Sequence, residues 1–186
     1  MDFMDLKALS CLFLLIYLII AVIDGFYFHI YKYKLYARDE SKKEHLLHTL
    51  NAILFPWSIL FVFCNKFQGL FLYFGILLLV LSLIIEFFDV YEESKSRKSL
   101  GGLTNNEYAM HFSLSALRAT YSSLILVSRP IADWSLSNSH INFYYKESVL
   151  VTYFIYPVIT IGIFTAIFHV MLFFVKTDNA KEIENL

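Results

Sequence analysis

Five long apolar runs constrain this chain more than any other feature. They fall at roughly Leu6–Tyr31, Leu46–Cys64, Phe67–Val90, Ala109–Ile131 and Val149–Val175. About 20 apolar residues in an α-helix cross the hydrocarbon core of a bilayer. Only helices and closed barrels satisfy their backbone hydrogen bonds there. The runs show helical length rather than the short alternating segments of a barrel, so the expected fold is all-α, a multi-pass helical bundle of five transmembrane helices in one domain. Pro56 in the second run reads as a kink rather than a stop. The fourth run carries His111 and Arg118 and is the least apolar, but the alternation of loops requires a crossing there. With 58% hydrophobic residues the chain exceeds the usual apolar share of soluble proteins. The first run is too long for a signal peptide and has no small-residue cleavage site.

Lysine and arginine set the expected orientation. Lys32, Lys34, Arg38, Lys42, Lys43, Lys95, Arg97, Lys98, Lys176 and Lys181 fall on one side; Lys7, Lys66, Arg129 and Lys146 fall on the other. The N-terminus is therefore expected outside and the C-terminus in the cytosol, with the bacterial inner membrane as the expected location. A net charge of −1 argues against a nucleic-acid partner. Cys11 and Cys64 match no zinc or redox spacing and read as buried thiols.

Two polar segments repeat a pattern. SKKEHLLH (residues 41–48) and TNNEYAMH (residues 104–111) each place Glu three residues after a hydroxyl side chain and His four residues after the Glu. Both begin as capping boxes, which would account for Glu44 and Glu107 without chemistry. The histidines lie deeper. Counted inward at 1.5 Å per residue, Asp24, His48, Glu86, His111 and His169 all lie about 9–10 Å from the cytosolic boundary, and Asp89 about 6 Å. His29 and His45 flank this layer on its wet side. Ionisable groups in a bilayer cost a few kcal/mol each unless paired or ligated, so such a layer is a candidate site. Glu86, Asp89 and Glu93 share one face of the third helix. Arg118 continues the face of Glu107 and His111 and is expected to neutralise Asp24 or Glu86.

The chain also repeats at larger scale. Asp24 precedes Glu44 and His48 as Glu86 precedes Glu107 and His111, and the connecting ARDESKK and EESKSRK are alike. The first four helices thus read as two hairpins of one design. The order acid, Glu–His, acid, Glu–His resembles the ferritin-like di-iron carboxylate proteins. That resemblance implies a two-metal site built from Asp24, Glu44, His48, Glu86, Asp89, Glu107, His111 and His169, the last as ligand or donor to a ligand. It departs in spacing, since the family sets Glu and His three residues apart and this chain four. Carboxylate and imidazole ligands suit a divalent metal, with iron ranked ahead of manganese and zinc. The expected activity is that of an oxidoreductase or hydroxylase acting on a lipid-like or quinone substrate at the membrane, with a redox partner that the sequence does not identify. Three alternatives belong to other classes. Haem could be ligated by two of His29, His48, His111 and His169. An acid–histidine cluster could relay protons or metal ions. The polar layer could be internal glue of an assembly subunit. Glu86, Asp89 and Glu93 followed by GGLTNNE are also faintly similar to intramembrane prenyltransferases, though that family carries two acidic motifs in a longer chain.

Overall fold

The computed structural model describes residues 3–175. The C-terminus and the tail lysines Lys176 and Lys181 lie outside the described residues. Among the described residues there are five α-helices: α1 (Phe3–Val22), α2 (Lys42–Phe63), α3 (Leu70–Ser96), α4 (Asn105–Val127) and α5 (Tyr156–Leu172). Among the described residues there is no strand, and one isolated antiparallel bridge joins Phe67 to Ile141. Four segments are long and apolar enough to cross a membrane: Asp5–Lys32, Asp39–Phe63, Leu70–Ser96 and Val151–Leu172. The helix α4 is not one of them, because Asn105, Asn106, His111, Arg118 and its Ser and Thr residues lower its mean hydropathy.

The helix α1 does not end at Val22. It continues as a π-helical segment, Ile23–Lys32, and Val151–Ile155 forms a shorter π-turn leading into α5. The i→i+5 bonding of a π-helix is rare and concentrates at functional sites. The first segment closes with the Tyr33 N–H donating to Phe28 O, after which Lys34, at φ 50°, turns the chain.

The two capping boxes have different outcomes. At α4 the box forms in full: Thr104 Oγ1 accepts from the Glu107 N–H at 3.3 Å, and Glu107 Oε2 accepts from the Thr104 N–H at 3.0 Å. Gly101 and Gly102, both at φ 89°, make the turn before it. At α2 the expected box does not form. Ser41 occupies the N-cap without a side-chain hydrogen bond, and Glu44 is drawn away by the partners described below. The helix α2 runs on through Pro56.

Packing pairs α1 with α4 and α2 with α3, and α5 lies against α2. The backbones of the sequential neighbours α1 and α2 stay apart, as do those of α3 and α4, which meet through long side chains such as Glu86 and Arg118. Two glycines allow close approach. A Cβ on Gly75 would meet Phe61 and Val62 across the α2–α3 contact, and one on Gly162 would press on Phe55 and Pro56 across the α2–α5 contact. The core gathers Leu14, Tyr17, Ile59, Phe63, Tyr121, Ile125 and Ile155, toward the end of the bundle away from the lysine-rich loops. Both cysteines are free and buried. What separates the α1/α4 pair from the α2/α3 pair near the lysine-rich end is a set of buried acids and imidazoles.

Candidate metal centre

The site begins with the π-helix. On an α-helix, residues five apart point to different faces. The i→i+5 ladder of Ile23–Lys32 instead stacks His29 over Asp24, and His29 Nε2 lies 3.6 Å from Asp24 Oδ1. The other helices contribute at ordinary spacing. Glu44 and His48 sit one turn apart on α2, Asp89 and Glu93 one turn apart on α3, and His111 comes from α4.

These side chains form three interlocked groups whose ligand atoms lie within 4.8 Å of one another: Asp24, His29 and His111; His29, Glu44 and His48; His48, Asp89 and Glu93. The first and third share no residue, and the second links them. His111 Nε2 stands 3.1 Å from Asp24 Oδ1, and its Nδ1 stands 2.8 Å from Glu93 Oε2. His48 Nε2 is 3.1 Å from Asp89 Oδ2. Glu44 Oε1 occupies the middle, 3.8 Å from His29 Nε2 and 3.9 Å from His48 Nε2.

The orientation of Glu44 has a visible cause. Its other oxygen, Oε2, accepts from Arg97 Nη1 at 2.9 Å and from Ser96 Oγ. Arg97 is fully buried, lies over the Tyr33 ring at 4.7 Å, and donates through Nε to Glu107 Oε1 at 3.2 Å. Tyr33 Oη also donates to Glu107. Arg97 thus ties the start of α2 to the start of α4 and leaves Oε1 of Glu44 directed at two imidazoles. Buried polar groups are ordinarily hydrogen-bonded, and each exception calls for an explanation. Here His29 Nε2, Glu44 Oε1, His48 Nε2, Asp89 Oδ1 and His111 Nδ1 are all buried without a hydrogen bond of acceptable geometry among the described residues. Several are within 4 Å of an opposite partner yet misaligned with it, as ligand atoms aimed at a common centre would be.

Of the eight residues named from the sequence, the structure brings together Asp24, Glu44, His48, Asp89 and His111. Glu86 stands apart from them. Its Oε2 pairs with Arg118 at 2.9 Å and its Oε1 accepts from Ser115, so Arg118 neutralises Glu86 rather than Asp24. Glu107 stays at its cap with Arg97 and Tyr33. His169 stacks near His45, with ring centroids 5.7 Å apart, and lines the cavity beside the cluster without belonging to any of the three groups. His29 and Glu93 join the cluster instead. Glu93 was legible as a continuation of the Glu86–Asp89 face. His29 was not, because its alignment with Asp24 depends on the π-helix.

A cavity of about 320 Å³ opens beside the cluster, lined at one end by Asp24, His48, Asp89, Glu93 and His111 and farther on by Tyr17, Phe55 and Val158. The arrangement defines an all-helical chain with apolar helices of membrane-spanning length and a buried carboxylate–histidine centre. Comparison with protein-family profiles, with curated proteins and with solved structures finds no match.

Proposed function

We propose that the chain is an integral membrane protein that holds two divalent metal ions near the cytosolic face and uses them to oxidise or hydroxylate a lipid-like or quinone substrate. In this reading all five helices cross the bilayer, the N-terminus is outside, and α1–α2 and α3–α4 are repeats of one hairpin design. Asp24, His29 and His111 would hold one ion, and His48, Asp89 and Glu93 the other. The observation that carries the reading is Glu44, which has one oxygen fixed by Arg97 and the other, free of hydrogen bonds, between the two groups. Glu44 would then be the residue common to both ions. Four carboxylates and three imidazoles form a donor set suited to iron or manganese, and zinc fits less well because it prefers fewer ligands. A pair of such ions can activate dioxygen or water.

The haem alternative is weaker. At 4.0 Å between ring centroids, His29 and His48 leave no space for a macrocycle between them, and four acids surround them. Ion transport is weaker too, because the ring of acids stops at Glu86 and the core beyond it is apolar around Leu14, Ile59 and Ile125.

Metal analysis of detergent-purified protein tests the proposal. The expected content is about two ions per chain. Glu44→Gln, which removes the bridging charge while keeping a partner for Arg97, should lower that content at unchanged helicity. Wild-type protein that retains no metal after loading with ferrous iron or manganese would end the two-metal reading. An absorption band in the Soret region would transfer support to haem.

A further inference from the structure

The cavity extends well past the residues that would hold metal. Tyr17 is seven residues before Asp24 on α1, and Phe55 seven residues after His48 on α2, so each wall runs about 10 Å along the bundle at 1.5 Å per residue. Along that length the lining is mainly apolar, with Leu18, Ala21, Leu114, Val158 and Ile161, and is interrupted by Asn51, Ser115 and Thr165. The charged group on the deeper wall is already occupied. Arg118 is held by Glu86, by Ser82 at 2.7 Å and by the Tyr17 hydroxyl.

The helices α1 and α5 supply facing walls of this cavity yet hardly pack on each other. Their seam is bridged by Phe26 and Phe168, whose rings stack at 6.0 Å and are both partly exposed. Val22, Phe26 and Ile161 line the cavity and are also exposed on the outer surface, so the cavity communicates with the outside through this seam. Beside Val22 and Phe26 lies Gly25, where a Cβ would meet nothing within 4 Å. The surface flanking the seam is apolar: Ile19, Ile23, Phe164 and Ile167.

Building on the membrane placement and the metal site proposed above, we infer that the cavity takes a single fatty-acyl chain directly from the bilayer, through the α1–α5 seam that the Phe26–Phe168 pair closes. Three features favour this occupant. The seam opens onto apolar surface, so a molecule passing through it is dissolved in hydrocarbon. The volume lies at the lower end of the roughly 300–1,000 Å³ of ligand pockets, which suits one chain rather than a two-chain lipid. The acids and imidazoles without a cationic partner are concentrated at one end, while Arg118 and Glu86 on the deeper wall neutralise each other, so the chain lies along the apolar wall and presents a carbon near its polar end to the cluster.

Equilibrium and stopped-flow binding of cis-parinaric acid, a fluorescent polyene fatty acid, to the detergent-purified full chain tests this inference. Wild type should bind it saturably and release it to oleate. Ala21→Trp and Thr165→Trp, which fill the cavity from α1 and α5, should weaken binding roughly tenfold or more. Ile84→Trp, on an exposed face outside the cavity, should bind as wild type does. Wild-type helicity and thermal unfolding in each variant show that the fold persists. If the two tryptophan variants fail to fold, Gly25→Leu replaces them, because its Cβ has open space. Phe26→Ala should raise the association rate several-fold. Absence of saturable binding in wild type, equal binding by the cavity variants, an unchanged rate in Phe26→Ala, or displacement by a short-chain quinone but not by oleate would each overturn the inference. The two readings separate cleanly. Fatty-acid binding by a chain that retains no metal overturns the metal site alone, and metal without fatty-acid binding overturns the acyl cavity alone.

Discussion

The two ends of the bundle both bury charge, and they do so differently. At the end away from the cluster, Arg129 donates through Nη1 to Asn65 Oδ1 at 2.9 Å and through Nη2 to Phe67 O, and its Nε stands 3.2 Å from Asp133. Lys7 reaches the same Asn65 oxygen at 3.0 Å, and Glu147 accepts from the Lys66 N–H at 2.9 Å. Anions there do not outnumber cations, since Arg129, Lys7 and Lys66 stand among Asp133 and Glu147, and the network ties α1, the α2–α3 turn and the loop after α4 together. At the cluster, Arg97 is shared between Glu44 and Glu107, so Asp24, Asp89 and Glu93 face imidazoles alone. Acid is in excess, and the lone pairs converge. A buried charge with its own opposite is a fastener. A surplus of buried carboxylates, with imidazole nitrogens aimed among them, is a donor set that could hold a cation.

Three substitutions would break or sharpen that contrast. The largest effect is expected from Arg129→Ala, which strands Asp133 and removes two directed hydrogen bonds. Breaking a buried pair from one side costs about 3–5 kcal/mol, which thermal unfolding in detergent would register as a clear loss of stability. Metal content per folded chain should stay at the wild-type level; if metal falls in step with stability, the two ends are not separable. Next comes Arg97→Lys. A lysine keeps the charge but cannot bridge two carboxylates as the guanidinium does. Glu44 loses its fixed orientation, and metal affinity should drop about 10–100-fold, the usual cost of removing a group that orients a ligand. Competition with a chelator measures it, and unchanged affinity would remove Arg97 from the site. The smallest is Thr104→Ala, which deletes half of the α4 capping box and should cost about 1 kcal/mol without altering metal affinity. A loss of metal in this variant would show that Glu107 does more than cap.

Much of the architecture could be read from the sequence because apolar length is a strong signal. The five runs correspond to the five helices. The apolar runs stop short of the helix ends: α2 begins at Lys42, as Ser41 in the capping position implied, and α3 continues to Ser96. There, Glu44, His45, Glu93 and Ser96 turn inward and are buried, while Lys42, Lys43 and Lys95 stay exposed. The depth count placed Asp24, His48 and His111 at one level and Asp89 nearer the boundary, and the structure assembles all four. It also put Glu86 in the same layer, since depth along a helix says nothing about which neighbour a side chain turns to. Arg118 decided that. The pattern shared by Ser41–Glu44 and Thr104–Glu107 looked like one device used twice. Only the second works as a cap, because Arg97 and Ser96 draw the first glutamate away. Helix pairing was the least legible, since repeated hairpins do not say whether α1 will lie along α2 or α4.

The widened turn at the end of α1 has a further consequence. An i→i+5 ladder accommodates one more residue than the α-helical turn it replaces, so Ile23–Lys32 behaves as a stored insertion. Deleting a single residue between Asp24 and His29 would set the two four apart, at the spacing an ordinary helix aligns, while rotating everything upstream by a fraction of a turn. The make-up of this centre is therefore sensitive to reading length as well as to side-chain identity. A relative that carries the same acids and imidazoles, but one residue fewer at this point, would face the rest of α1 toward different neighbours.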